Sequence, residues 1–180
     1  MYLHKLDLLT PPFTVEGSLR RVEFYAMRKK AKRKTKIQKI AVCASASFYK
    51  EALELEKKLK KSGFKVALPC TAYTMRKTGN YDVEFYKRWM REPAAYKRKT
   101  YLMRNHFRKI IESDALLIVN LEKNGVTGYI GGNVLMEMAI GFHHRKPIFI
   151  LHKVASSSPF YEEILGMSPI FIEGDLTKII

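Results

Sequence analysis

Apolar residues fall along this chain in short runs, one of them interrupted by Lys65, separated by glycine, proline and small polar residues. Five runs have strand length: Ile40-Ala41-Val42-Cys43-Ala44, Phe64-Lys65-Val66-Ala67-Leu68, Ala115-Leu116-Leu117-Ile118-Val119-Asn120, Pro147-Ile148-Phe149-Ile150-Leu151 and Pro169-Ile170-Phe171-Ile172. Runs without polar alternation are what strands buried on both faces of a parallel sheet require. Between them the apolar positions shift to helical spacing. Ala52, Leu55 and Leu59 mark the inner face of a helix over roughly 47–62, with Ser47 as its N-cap, Glu51 early in it and Gly63 at its end. A second helix covers 96–112, with Tyr101, Leu102, Phe107, Ile110 and Ile111 able to share a broad inner face. A third, short one covers 160–165. Strands alternating with helices predict an α/β fold, a flavodoxin-like or Rossmann-like three-layer sandwich around a parallel sheet of about five strands.

Two regions resist this pattern. Residues 1–36 lie ahead of the first strand and read as an extension to a domain over 37–180; a basic helix over 18–34 is expected there, after the break at Pro11-Pro12. Residues 69–95 read mainly as loops, with one short helix over Val83–Met90. Aromatic residues at 73, 81, 85, 86, 89, 96 and 101 are interleaved with Arg and Lys. Such a pattern serves either as cover for the sheet edge or as a stacking surface and lid over a ligand.

Charge adds to the picture because it is lopsided. Residues 1–110 carry 28 Lys and Arg against 9 Asp and Glu, whereas residues 111–180 carry 5 against 8. A basic front half points to an anionic partner. The densest run, over residues 28–36, reads as a solvated face or, more sharply, as a contact for nucleic acid or another polyanion. The two cysteines, Cys43 and Cys70, sit in apolar strand-like segments and match no metal spacing, so buried thiols in a reducing, cytoplasmic setting are expected. No apolar run is long enough for a membrane span, and none resembles a secretion signal. No metal and no cofactor are expected.

The candidate chemistry centres on one acid. Glu137 follows Gly131-Gly132-Asn133 and is flanked by Val134, Leu135, Met136, Met138, Ala139 and Ile140. A carboxylate so placed is either buried at some desolvation cost or turned toward a cleft. Glycines before a helix let backbone N–H groups approach a ligand, and the loop leaves the carboxyl end of a parallel strand, where such sheets bind ligands. A helix-start acid favoured by the macrodipole is the plain alternative.

Residues 113–150 carry a resemblance. Ser113-Asp114 opening an apolar strand, the glycine loop, Glu137-Met138-Ala139-Ile140-Gly141-Phe142 and Lys146-Pro147-Ile148 resemble the nucleoside 2-deoxyribosyltransferase superfamily, which includes 2'-deoxynucleoside 5'-monophosphate N-hydrolases. The layout extends over 37–172. The resemblance implies that Glu137 attacks the anomeric carbon of a nucleoside or nucleotide, forming a glycosyl ester as the base leaves. It places His106 where the family carries a proton-donating Asp. It implies that Ser45 and Ser47 flank a 5'-phosphate at a helix start, that Tyr73 or Tyr129 replaces an aromatic of strand one where Ala41 stands, and that Asp114, Gly131, Gly132 and Asn133 contribute to the substrate site. It also implies a homo-oligomer. Gly131-Gly132-Asn133 departs from the Asp-rich segment of the transferases, and the first loop lacks the Arg of the hydrolases. A phosphoribohydrolase of the lonely-guy type fits less well, since Asn133-Val134 stand in place of its Gly-Thr. The alternative from another class is a non-catalytic nucleotide or nucleic-acid binder on the same fold.

Overall fold

The structure, a computed structural model, describes residues 36–179. The expected basic helix over 18–34 and nearly all of the basic run over 28–36, expected as a polyanion contact, lie outside them. Five strands form one sheet: β1 (Lys39–Ala44), β2 (Lys65–Ala67), β3 (Ala115–Val119), β4 (Ile148–Ile150) and β5 (Ile170–Phe171). Their order is β2-β1-β3-β4-β5, and all four pairings are parallel. The fold is therefore the α/β sandwich that the apolar runs predict, in the strand order of flavodoxin-like sheets.

Period-two alternation divides the core between the two faces. Ile40, Val42 and Ala44 of β1 join Ala115, Leu117 and Val119 of β3 on one face, with Phe48, Ala52, Leu53 and Leu59 packed over them. Those last residues belong to helix α1 (Tyr49–Lys61) and the single 3-10 turn before it, Ala46–Phe48. Ala41, Cys43, Leu116 and Ile118 point to the other face. There they meet Ile110 of helix α4 (Tyr96–Ile111), Val134 and Met138 of helix α5 (Gly132–His143) and Ile164 of helix α6 (Tyr161–Gly166).

Several local expectations change. Helix α1 starts later than expected, and neither Ser45 nor Ser47 makes a side-chain cap. The 3-10 turn takes the place of a cap by carrying the chain around the end of β1. Gly63 does end the helix, at φ +90, where a β-carbon would be strained. Segment 69–95 is more regular than its composition suggests. Helices α2 (Cys70–Thr78) and α3 (Val83–Tyr86) are followed by 3-10 turns at Arg88–Met90 and Pro93–Ala95. Threonines at 71, 74 and 78 lower helix propensity, but α2 buries Ala72 and Met75 completely, and that burial wins. Cys70 thus opens a helix instead of lying in a strand. On α4, Ile110 is buried, whereas Tyr101 and Ile111 are exposed.

Two polar devices hold the loops that frame the site. Asn120, buried at the end of β3, donates to the carbonyl oxygens of Gly128 and His152 and accepts from the His152 N–H. It ties the loop after β3 to the exit of β4, the accounting that buried polar groups require. Glu56 of α1 is buried and accepts from Lys60, Arg76 and Tyr73, which fixes α2 against α1.

Candidate active site

A cavity of about 210 Å³ opens at the carboxyl ends of β1 and β3. The turn after β1 (Ala44, Ser45, Ala46) forms one wall, and the start of α5 (Gly131, Gly132, Asn133) forms another. Glu137 and His106 lie along it, with Tyr86, Lys87 and Trp89 from the α3 segment and Lys99 and Phe107 from α4. Five of the basic and aromatic residues over 86–107 are thus gathered on this cleft, whereas Tyr96, Tyr101 and Arg104 of the same stretch are not among its lining residues.

Glu137 lies in the second turn of α5. It reaches the sheet because Gly141, on the same helix, packs directly on Leu116 of β3: an added β-carbon would lie 2.7 Å from both Leu116 methyl carbons. The Glu137 side chain is 13% exposed, and Oε2 stands 3.7 Å from Nε2 of His106, whose side chain is 4% exposed. That separation is too long for a hydrogen bond. Both ring nitrogens of His106 and Oε2 of Glu137 lack a hydrogen-bond partner.

Burial dominates the electrostatics. It pushes the Glu137 carboxyl up to about 8, against the opposing pull of the Cys43 thiol and the Lys99 charge. It pushes His106 down to about 3; the nearby Lys109 charge acts in the same direction, and the Val42 backbone opposes both without reaching hydrogen-bond geometry. Burial also raises the thiol of Cys43, with the Glu137 charge adding to it. The hydroxyl of Tyr49 is raised by burial first and by Glu137 second. The centre of the cleft is therefore nearly charge-free at neutral pH, and its cations stand around the rim.

Lys99 is the nearest of these. Its ammonium donates to Oδ1 of Asn133 at 2.9 Å and lies 5.6 Å from the centre of the Trp89 ring. Burial lowers its pKa; the Glu137 charge opposes this and Lys87 adds to it. Lys123 lies over the Tyr129 ring, 5.1 Å from its centre.

The residues expected from the sequence divide cleanly. Glu137, His106, Ser45, Gly131, Gly132 and Asn133 line the cavity, and so does Tyr129. Ser47, Tyr73 and Asp114 do not. Ser47 is exposed on the outer side of the 3-10 turn. Tyr73 donates to Glu56 at 3.0 Å, and burial with that bond raises its hydroxyl to about 12. Asp114 precedes β3, so it sits at the amino edge of the sheet, opposite the cleft, where Oδ2 accepts from the N–H groups of Gln38 and Lys39. His106 does meet Glu137, but a ring kept neutral down to about pH 3 has no imidazolium proton to give at neutral pH.

Cys43, Tyr49 and Lys99 are the site residues that sequence reasoning passed over. Cys43 shares a face of β1 with Ala41, but nothing in the sequence marks which helices cover that face. Lys99 left only its place within a run of basic residues. Comparison of the chain with models of known families, with curated proteins and with solved structures finds no match.

Proposed function

We propose that this protein cleaves or transfers the N-glycosidic bond of a nucleoside or nucleoside 5'-monophosphate, with Glu137 as nucleophile. The observation that carries the reading is the position of Glu137: a nearly buried carboxyl at the carboxyl edge of a parallel sheet, on a cleft that also holds Trp89, Tyr86, Lys87 and Lys99. The aromatic rings suit a base and the lysines suit a phosphate. In the reaction a Glu137 oxygen bonds to the anomeric carbon while the bond from that carbon to the base nitrogen breaks. Positive charge develops on the sugar, and the ionised form of Glu137, the minor form at neutral pH, which has given its proton to solvent before the attack, stabilises that charge more than it stabilises the neutral ground state. The departing base takes a proton. Lys99, whose pKa is lowered by burial and whose ammonium is held at the cleft by Asn133, is the donor we assign to that step. Water or a second base then attacks the ester, releasing the carboxylate.

The test is release of free base, followed by chromatography, from a panel of nucleosides and nucleoside monophosphates. Turnover in the parent protein and its loss in Glu137→Gln are expected; equal activity of the two would end the reading. The second reading is a nucleotide binder without turnover, and the uncharged Glu137–His106 pair favours it. Saturable nucleotide binding with no base release across the panel would select it.

A homo-oligomer is part of the same proposal. Met136 and Phe142 of α5 are 41% and 53% exposed, an apolar surface that a second copy could cover. A monomer at micromolar concentration by light scattering would exclude it. Both cysteines are free thiols, which suits a reducing, cytoplasmic setting. Among the described residues no helix is long and apolar enough to cross a membrane.

A further inference from the structure

We propose that Cys43, His106 and Glu137 form a binding site for one divalent transition-metal ion of the zinc class, and that the ion, when bound, occupies the carboxylate that the glycosidic reaction needs. The second half rests on the function proposed above; the first half does not.

Three elements bring the three donors together: β1, α4 and α5. One ligand atom from each residue, a thiol sulfur, a ring nitrogen and a carboxylate oxygen, lies within 4.8 Å of the other two. The His106–Glu137 pair is already at 3.7 Å. Around a tetrahedral zinc ion, bonds of about 2.0–2.3 Å put ligand atoms roughly 3.3–3.8 Å apart. The site therefore needs a contraction on the order of 1 Å at its widest pair, within the reach of side-chain torsions.

Two of the three donors are also unsatisfied. His106 is 3% exposed, yet neither ring nitrogen has a partner, and Oε2 of Glu137 shares that state. Buried polar groups of this kind are nearly always paired, so the arrangement calls for a missing partner. A partner between the two must engage the lone pair of one imidazole nitrogen and of a carboxylate oxygen, while the other ring nitrogen carries the N–H. A cation does so directly, and the Cys43 sulfur beside the pair supplies it with a third donor.

Charge balance selects the kind of cation. A dication with one thiolate, one carboxylate and a neutral imidazole sums to zero, which suits a buried site. Binding displaces the Cys43 thiol proton, and the proton of Glu137 where it carries one, both to solvent. Sulfur and imidazole donors select zinc-class ions over magnesium or calcium. Three protein ligands leave the fourth position open on the cleft. The sequence hides the site because its ligands, at 43, 106 and 137, have no local spacing.

The experiment uses the purified full chain, stripped with chelator and titrated with Co²⁺. The expected result is one equivalent bound, with a sulfur-to-cobalt charge-transfer band that Zn²⁺ abolishes. Cys43→Ser should lose the band and bind at least tenfold more weakly, His106→Gln should also bind at least tenfold more weakly, and Cys70→Ser should keep the band. A thermal shift on adding Zn²⁺, present in the parent and absent in Cys43→Ser, guards against misfolded variants. No band in the parent, or a band that survives Cys43→Ser and vanishes in Cys70→Ser, would overturn the site. Base release is measured separately in chelator. If it occurs there and one equivalent of Zn²⁺ leaves it unchanged, the inhibitory half fails. If it never occurs but the cobalt band behaves as expected, the glycosidic reading fails and the metal site stands.

Discussion

Gly141 and Leu116 are the contact that brings helix α5 down to the sheet: a β-carbon on Gly141 would sit 2.7 Å from both methyl carbons of Leu116. Leu116 is fully buried in the middle strand, so its methyl groups have no free volume to enter. Gly141→Ala would gain up to about 1 kcal/mol of helix propensity. It would lose about 1–3 kcal/mol to overpacking. A net destabilisation of about 1–2 kcal/mol is expected in urea unfolding, with α5 lifted and Glu137 drawn from the cleft. Gly132→Ala is the contrast. Nothing lies within 4 Å of a β-carbon there, so its stability should match the parent or exceed it slightly.

Glu137→Gln keeps the shape of the side chain and removes its ability to form the ester. Base release should fall by about 10³-fold or more, the scale seen when a nucleophile is removed. Stability should hold or rise, because the carboxyl lies in a pocket that opposes its ionisation and one of its oxygens has no partner. A variant that lost activity together with cooperative unfolding would not bear on the reaction, so urea unfolding must accompany the assay.

The sheet was legible in the sequence because burial on both faces writes the three inner strands as unbroken apolar runs, while the two outer strands, β2 and β5, are partly exposed and were legible from their shorter apolar stretches between turn residues. Glu137 was legible for a related reason: a charge in an apolar helix has few places to go. Residues placed by tertiary contact were not. Asp114 opens a strand, as the motif suggests, but strand direction puts it at the edge away from the cleft. Tyr73 lies on a helix whose inner side is set by Glu56, a buried acid that looks like any surface acid in a Lys-rich helix. Cys43 looked like inert core, and it is buried; only the approach of α4 and α5 places His106 and Glu137 beside it.

Asp114 should govern acid stability and leave the chemistry alone. Its carboxylate accepts the Gln38 and Lys39 N–H groups at 2.9 and 2.8 Å, and these bonds hold its pKa below the usual carboxylate range. A depressed folded pKa contributes stability that is fully present above the unfolded value near about pH 3.9 and is lost as pH falls through the folded value. Asp114→Asn should therefore destabilise the protein at pH 7 by about 1 kcal/mol, a modest figure because the group is exposed and screened. The difference from the parent should shrink below about pH 3.5. Base release at neutral pH should stay within about twofold of the parent, as the residue lies on the far edge of the sheet from the cleft. A loss of turnover without a loss of stability would return Asp114 to the substrate site.

Lys99 separates binding from proton donation. Its ammonium is held by Asn133 and by the face of Trp89, so the charge is fixed at the cleft instead of swinging free in solvent. If it protonates the departing base, Lys99→Met should lower kcat by about 10²–10⁴-fold, the range for a positioned general acid. Substrates whose leaving group needs no proton, such as nitrophenyl deoxyribosides, should be spared most of that loss. If Lys99 serves only to hold a phosphate, the variant should instead raise KM for nucleoside monophosphates and leave nucleosides nearly untouched. Asn133→Ala, which frees the ammonium without removing it, should show the same pattern in weaker form. Equal kcat and KM for Lys99→Met and the parent on every substrate would remove Lys99 from the reaction and leave the donor to be sought among the other groups on the cleft.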